Sequence, residues 1–215
     1  GTGELIYCGY NIDELAGHVS FEEVVHLLHH DHLPNQTELD ELKATLVGFR
    51  ELPQGIIDLI QSLPSDAAPM NAIRTVVSAL GCFDTTAEDD TMYAQRRKAL
   101  RLIAQIPVAT AYFHLARQGK TLPKSDPNLS EAANFLYLIN GEKPSEETVK
   151  TMDMCYVLHA DHGMNASTFS SRVTIATLSD MYSAICSAIG TLKGPLHGGA
   201  NEGVIRMLQE IGSLE

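Results

Sequence analysis

Two short segments of this sequence carry the side chains best suited to chemistry. Residues 158–168 read LHADHGMNAST, and residues 194–201 read GPLHGGAN. Both contain histidine, whose neutral imidazole can donate or accept a hydrogen bond near neutral pH. The neighbouring residues are mostly small or polar, which suits hydrogen bonding to an organic ligand. We therefore take His162 and His197 as the centre of a candidate binding or catalytic site.

The residues around His197 predict a tight turn at the start of a helix. Gly194, Pro195, Gly198 and Gly199 surround this histidine. In a helix interior, glycine costs about 1 kcal/mol and proline about 3 kcal/mol relative to alanine. Glycine is favoured instead where the backbone must pass close to another group. A histidine on such a turn is well placed to contact a ligand.

A metal site is the alternative for the first segment. His159 and His162 are three residues apart, so on a helix they would share one face. Asp161 could supply an oxygen ligand and His197 a more distant nitrogen. On the residues alone, a helical metal-binding protein that uses these histidines and the aspartate remains open, and so does a purely structural role for each histidine.

A second histidine-rich segment, His29-His30-Asp31-His32, also suggests zinc. Adjacent residues of a helix point in different directions, however, and no second set of ligands lies nearby in the sequence. We expect this segment to be the solvated C-terminal end of a helix, where histidine interacts favourably with the helix dipole.

The composition and net charge limit the kinds of molecule that this protein can bind. The formal net charge of −12 argues against a nucleic-acid or anionic-membrane surface, which would need clustered lysine and arginine. In addition, no apolar run reaches the roughly 18 to 20 residues that span a bilayer. From the charge and the length of the apolar runs together, we expect no nucleic-acid partner and no membrane. A small anionic ligand remains compatible with this charge, because helix N-termini can hold one.

The sequence contains four cysteines, which are Cys8, Cys82, Cys155 and Cys186. We predict that they are buried free thiols in a reducing cytoplasm.

Nearly every element is predicted to be helical, which makes the fold class all-α with about ten helices. Ser20 and Glu23 have the spacing of a capping box before an apolar stripe, and Thr37 is the expected cap of the next helix. The small residues within Pro69–Gly81 would let another helix approach closely. Residues 172–189 contain no glycine or proline and predict one or two helices between the two histidine segments.

Taken together, the two histidine segments resemble the citrate synthase family. His162 and His197 are 35 positions apart, a spacing associated with bacterial members. The similarity extends to Tyr7–Ile12 and Pro69–Leu80, so it covers essentially the whole chain. The resemblance implies a mostly helical, homodimeric enzyme that joins acetyl-CoA and oxaloacetate to give citrate and CoA, without a metal or another cofactor.

The resemblance also implies roles for individual residues. His197 matches the catalytic histidine that hydrogen-bonds the acetyl-CoA carbonyl oxygen and stabilises the enolate, and Ser167 matches the serine that orients this imidazole. His162 matches a histidine that binds oxaloacetate, and Asn165 is a weaker match to a polar neighbour of that site. The residues that flank the catalytic histidine, and whose backbone is expected to line the CoA thioester and adenine region, are Leu196 and Gly198.

This sequence departs from the family pattern after the second segment. The resemblance places the aspartate that takes the methyl proton, a second histidine and most oxaloacetate-binding arginines well beyond it, whereas this chain ends at Glu215. We therefore expect a fragment that lacks the C-terminal part and is inactive alone. Residues 1–197 are predicted to form most of a large helical domain, and residues 198–215 the first helix of a small one.

Two further alternatives stay open beside citrate synthase. A 2-methylcitrate synthase, which takes propionyl-CoA, would use the same histidines. A helical protein-interaction module would need no chemistry at all. In each case the expected location is the cytoplasm.

Overall fold

The computed structural model describes residues 3–212, and within that range the chain is almost entirely helical. The all-α prediction is confirmed, with one short antiparallel hairpin added. The strands are β1 (Ile6–Tyr7) and β2 (Tyr10–Asn11), and the helices are α1 (Ile12–Leu15), α2 (Phe21–His30), α3 (Gln36–Phe49), α4 (Gln54–Ser62), α5 (Pro69–Phe83), α6 (Met92–Ala116), α7 (Glu131–Asn140), α8 (Glu146–His159), α9 (Ala166–Ile175), α10 (Met181–Leu192) and α11 (Ala200–Ile211).

Capping side chains fix where the early helices begin. The predicted capping box of α2 is present, with Ser20 and Glu23 each accepting the other's backbone N–H. The predicted cap at Thr37 is wrong, because α3 begins two residues earlier. Asn35 accepts the backbone N–H of Glu38 at 3.1 Å, and the Glu38 carboxylate accepts that of Asn35 at 2.9 Å. This reciprocal pair satisfies two N–H groups that a cap at Thr37 would leave without partners.

The chain forms two compact units. One comprises Gly1–Ala67 and Asp89–His162, and the other comprises Ala68–Glu88 and Gly163–Glu215. The second unit therefore contains α5 and everything from α9 onward. The domain boundary that the sequence predicts after residue 197 stays a prediction.

In the first unit, a buried tyrosine anchors the segment that carries His162. Tyr7 is fully buried in a cluster that includes Leu15 and Val157. Its hydroxyl oxygen lies 3.0 Å from the carbonyl oxygen of Val157 and 2.8 Å from that of Asp161. It also accepts the Asp161 backbone N–H at 3.2 Å. The β-hairpin thus holds the C-terminal end of α8 through hydrogen bonds as well as apolar contact.

A buried ion pair joins the end of α3 to the start of α7. Arg50 and Glu131 are only 3% and 2% exposed, and their side chains are 2.7 Å apart. Arg50 also donates to the carbonyl oxygens of Asp126 and Leu129, and the backbone N–H of Glu131 donates to Glu22 at 2.8 Å. Burial raises the pKa of the Glu131 carboxyl, and the Arg50 charge opposes that rise. Both charged side chains of this network are therefore almost completely removed from solvent.

The long helix α6 corrects one expectation. By length and composition it is long and apolar enough to cross a membrane, with an 18-residue window of mean hydropathy 1.2. The sequence expectation that no such segment exists is therefore wrong. Half of that window is buried, and the helix packs against α3, α4 and α7. Its apolar character is thus accounted for by core packing within the first unit.

The four cysteines are free, as expected, but they are not buried. Cys8, Cys82 and Cys155 are exposed and Cys186 is half-buried. The expectation of burial is wrong because Cys8 lies in the turn of the β-hairpin, while Cys82, Cys155 and Cys186 lie on parts of α5, α8 and α10 that the core does not cover completely.

The N-terminus of α2 rests on a carboxylate with a raised pKa. Both oxygens of Asp153 lie within 3.2 Å of the Phe21 backbone nitrogen. Burial raises the pKa of Asp153 to about 6, with the Phe21 N–H opposing the shift and Glu22 and Glu23 adding to it. Since the ordinary value is 3.8, the folded state holds this proton more tightly than the unfolded chain. The stability from this group is full below about pH 4 and is lost as the pH rises through 6.

Replacing Asp153 with asparagine is therefore expected to stabilise the chain at neutral pH. An asparagine oxygen can still accept the Phe21 N–H, while the half-buried charge is gone. The full shift corresponds to about 3 kcal/mol, and solvent screening of a half-buried group reduces this to about 1 kcal/mol at pH 7.5. Urea unfolding at pH 5 and pH 7.5 measures the effect, with the exposed Asp66→Asn as control. An equal gain at both pH values would contradict the assignment.

Candidate active site

The loop that carries His197 lies between α10 and α11 and is a tight turn, as the sequence predicts. The His197 backbone N–H donates to the carbonyl oxygen of Gly194 at 2.9 Å. The Gly199 N–H donates to the carbonyl oxygens of Leu192 at 3.0 Å and Gly194 at 3.1 Å. These bonds fold the loop back on the last turn of α10 and fix the backbone on both sides of the imidazole.

At two positions of this turn, only glycine fits sterically. A Cβ atom on Gly198 would lie 2.9 Å from the Leu192 carbonyl oxygen, and one on Gly199 would lie 2.5 Å from that of Lys193. Both distances are shorter than van der Waals contact allows, and the opposing atoms belong to the backbone. The close approach that the sequence predicts from its glycines is therefore an approach of the turn to its own helix.

Ser167 lies against His197 within the second unit. The Ser167 Oγ atom is 2.8 Å from the His197 Nε2 atom and 3.1 Å from the Ala188 carbonyl oxygen. Ser167 stands in the first turn of α9, whose N-cap is Asn165. Because α9 packs along α10, and α10 supplies Ala188 and leads into the turn, three consecutive elements set this hydrogen bond.

The hydroxyl of Ser167 controls the tautomer of His197. A hydroxyl has one proton. If Ser167 donates it to the Ala188 carbonyl, it accepts from the imidazole, and the ring proton is on Nε2. If the hydroxyl rotates and donates to Nε2, the neutral ring carries its proton on Nδ1. In the part of the chain that the structure describes, no protein group pairs with Nδ1 of His197, so the second tautomer offers a free N–H donor to a ligand.

The other predicted site residues are placed as follows. Asn165 accepts the Thr168 backbone N–H through its side-chain oxygen at 2.9 Å, so that oxygen serves as a helix cap. Leu196 is fully exposed, and Gly198 lies in the turn. His162 is exposed in the irregular segment after α8 and belongs to the first unit. Contacts of these four residues with a substrate stay predictions.

Sequence reasoning missed several groups that support the pair. The Ala188 carbonyl is a backbone acceptor, which no residue type reveals. Ser170 links α9 to α10 by hydrogen bonds to Ser187 at 3.0 Å and Thr191 at 2.9 Å. These small polar residues at helical spacing are the only signal in the sequence, and it is equally typical of an exposed helix face.

The metal alternative gains no support at the first histidine segment. The His159 Nδ1 atom is 2.7 Å from the Cys155 carbonyl oxygen, one helical turn earlier. Among residues 3–212, the donor atoms of His159, Asp161 and His162 are not gathered within 4.8 Å of one another.

Comparison with known proteins places this chain in a family. The profile described as "Citrate synthase, C-terminal domain" matches residues 1–215, and the chain belongs to the citrate synthase family. It is 49% identical over 214 residues to citrate synthase 2 of Bacillus subtilis, covering 98% of this chain and 57% of that protein. It is 38% identical over 212 residues to 2-methylcitrate synthase of Shewanella oneidensis, covering 98% of this chain and 56% of that protein.

The fold agrees with that assignment. The chain is similar to citrate synthase from Thermoplasma acidophilum, solved as a ternary complex with carboxymethyl coenzyme A and oxaloacetate, with a TM-score of 0.92 and 31% identity. That match covers 98% of this chain and 55% of the other. The chain therefore spans little more than half the length of the relatives it matches.

Proposed function

We propose that the full-length protein carrying this sequence is a citrate synthase, which condenses acetyl-CoA with oxaloacetate and water to give citrate and CoA. The observation that carries the proposal is the Ser167–His197 hydrogen bond on a glycine-rich turn. Family membership and the 49% identity to a citrate synthase support it.

The pair can serve the removal of a proton from the acetyl methyl group. As that carbon loses its proton, negative charge develops on the thioester carbonyl oxygen. An N–H donor held at that oxygen stabilises the charge where it forms. In the proposal Ser167 donates to Nε2 of His197, so that Nδ1–H of the neutral imidazole faces the thioester. The distance of 2.8 Å between Ser167 Oγ and His197 Nε2 supports this proposal, because it fixes the orientation of the ring while the direction of the hydroxyl proton sets the tautomer.

The remaining roles rest on the resemblance. His162 is proposed to bind oxaloacetate, with Asn165 as a polar neighbour of that site. Leu196 and Gly198 are proposed to line the thioester and adenine region. The carboxylate that takes the methyl proton has no counterpart at a matching position of this chain, and general bases commonly supply a factor of about 10² to 10⁴ in rate. We therefore propose that these 215 residues alone do not catalyse the condensation.

The wider properties of the protein are proposed from its family. We expect a homodimer that needs no metal or other cofactor for the condensation and works in the cytoplasm. The substrates would be oxaloacetate and acetyl-CoA. A 2-methylcitrate synthase is the second candidate, supported by the 38% identity to the Shewanella oneidensis enzyme.

Steady-state release of CoA by the full-length protein tests the proposal. We expect kcat/KM to be about 10- to 200-fold higher with acetyl-CoA than with propionyl-CoA, the usual discrimination for one methylene group. The 215-residue chain, assayed in parallel, is expected to release no CoA. A preference for propionyl-CoA would favour the 2-methylcitrate synthase alternative. No release by the full-length protein with either thioester would contradict both.

A further inference from the structure

The junction between α2 and α3 brings two imidazoles and a carboxylate together. The ligand atoms of His26, His32 and Glu38 all lie within 4.8 Å of one another. His26 is buried, Glu38 is half-buried and His32 is exposed. The sequence drew attention to residues 29–32 and predicted a solvated helix end. This run does form the solvated C-terminal end of α2. The structure in addition brings its last histidine, His32, next to the buried His26 of α2 and a carboxylate from α3.

Hydrogen bonds leave the outer nitrogen of each imidazole available. The Nδ1 atom of His26 is 3.0 Å from the His32 carbonyl oxygen, and the Nδ1 atom of His32 is 3.0 Å from the Leu33 carbonyl oxygen. A carbonyl oxygen only accepts, so each Nδ1 carries the proton and each neutral ring has a free lone pair on Nε2. Histidines that bind metals are typically held in this way, with the second ring nitrogen donating to a carbonyl.

The carboxylate is held in a similar way. One oxygen of Glu38 accepts the backbone N–H of Asn35 at 2.9 Å as part of the α3 capping box. That bond fixes the side chain at the first turn of α3 and still leaves the other oxygen for a ligand. Three donors are therefore oriented by backbone groups, and all three belong to the first unit.

From this geometry we propose a site for one divalent transition-metal ion of the zinc class, bound by Nε2 of His26, Nε2 of His32 and a carboxylate oxygen of Glu38. Two imidazoles and one carboxylate suit Zn²⁺, Co²⁺ or Ni²⁺, whereas Mg²⁺ and Ca²⁺ prefer all-oxygen sites. Zinc–ligand distances are about 2.0 to 2.2 Å, so the donors must draw together on binding. His32 can move toward the other two ligands because it is exposed.

A cavity beside the cluster gives the ion access and room for a fourth ligand. It has a volume of about 420 Å³ and is lined by His26 and Glu38, among others. Its charged lining is mixed: Arg96 and Arg97 are accompanied by Glu41 as well as Glu38. The Arg97 guanidinium lies over the Phe49 ring, 4.9 Å from its centroid, which holds its charge against that ring. Water in this cavity would complete a tetrahedral set of ligands.

The ion would join the C-terminal end of α2 to the first turn of α3. The five residues between these helices, 31–35, include Asp31 in a left-handed conformation (φ 63°), which turns the chain so that His32 faces back toward His26. The site is thus a structural clip across a helix–helix connection. Its three ligands are not among the residues proposed for the condensation.

Metal binding by the tag-free 215-residue chain tests the proposal. After removal of bound metal with a chelator, we expect equilibrium dialysis at pH 7.5 to show one bound Zn²⁺ per chain. Co²⁺ should give visible absorption bands of a low-coordinate site. Zn²⁺ at a hundredfold excess over its Kd should raise Tm by roughly 5 to 10 °C. Mg²⁺ should do none of this.

Surface variants then identify the ligands. His32→Ala is expected to weaken Zn²⁺ binding at least about 100-fold and Glu38→Gln by about 10- to 100-fold, and glutamine preserves the capping box. His29→Ala is the matched control, since His29 lines the same cavity but lies outside the three ligands. Far-UV circular dichroism verifies that each variant is folded. Zn²⁺ binding only at millimolar concentration, or an equal loss in His29→Ala, would overturn the proposal.

Discussion

Replacing His197 with alanine in the full-length protein is expected to lower kcat for citrate formation by about 10²- to 10³-fold. The change removes the N–H donor that the proposed function places at the developing enolate oxygen. Because this interaction is made in the transition state, kcat and kcat/KM should fall together while oxaloacetate binding changes little. Steady-state CoA release measures the first two, and equilibrium binding measures the third.

Ser167→Ala separates orientation from catalysis in the same assay. The hydroxyl 2.8 Å from Nε2 is lost, but the imidazole remains, so we expect a fall in kcat of roughly tenfold. His159→Ala is the matched control, because that ring bonds the Cys155 carbonyl within its own helix and should leave kcat unchanged. A His197→Ala enzyme with near-normal kcat would show that the imidazole has another role.

Replacing Arg50 with methionine is expected to lower the free energy of unfolding by about 3 to 5 kcal/mol. The variant leaves the Glu131 carboxylate 2% exposed without its counter-charge, and the Asp126 and Leu129 carbonyls lose their donor. Without Arg50 the pKa of Glu131 rises further, so the stability of the variant is lost as the pH rises. The deficit relative to the parent chain should therefore be larger at pH 7.5 than at pH 5, which urea unfolding at both values measures.

Two controls define the origin of that loss. Lys143 and Asp126 are 3.5 Å apart and Lys143 is 70% exposed, so solvent screens this pair and Lys143→Met is expected to be nearly neutral. The double variant Arg50→Met with Glu131→Leu should recover a large part of the stability, because no buried charge is left unpaired. A double variant as unstable as the single one would mean that the carbonyl contacts of Arg50, rather than its charge, dominate.

Local signals in the sequence gave most of the secondary structure. The Ser20 capping box is where the spacing places it. The predicted close approach at the helix Pro69–Gly81 is also confirmed, since a Cβ atom on Gly81 would lie 3.2 Å from Tyr182 on α10. Where two residues two positions apart offered similar chemistry, the prediction was wrong: Thr37 has the spacing of a cap, yet Asn35 forms the complete reciprocal pair.

The candidate sites depend on tertiary structure and were therefore harder to predict from the sequence. Ser167 and His197 are thirty positions apart, and only the family resemblance connected them in advance. The Ala188 carbonyl that completes their contact has no side-chain signal. The cluster of His26, His32 and Glu38 was missed because its geometry requires the left-handed residue at Asp31, and neither helical periodicity nor nearest-neighbour spacing describes a chain that reverses between two helices.

The crowded glycines of the His197 turn have a practical consequence for protein engineering. In libraries that randomise Gly198 or Gly199 in order to alter acyl-group preference, we expect nearly every member to have a displaced turn, since any larger residue must shift main-chain oxygens. Diversity is better introduced at Leu196, whose side chain meets no such obstacle. Within this loop, Leu196 can therefore be replaced by many side chains, whereas Gly198 and Gly199 must remain glycine.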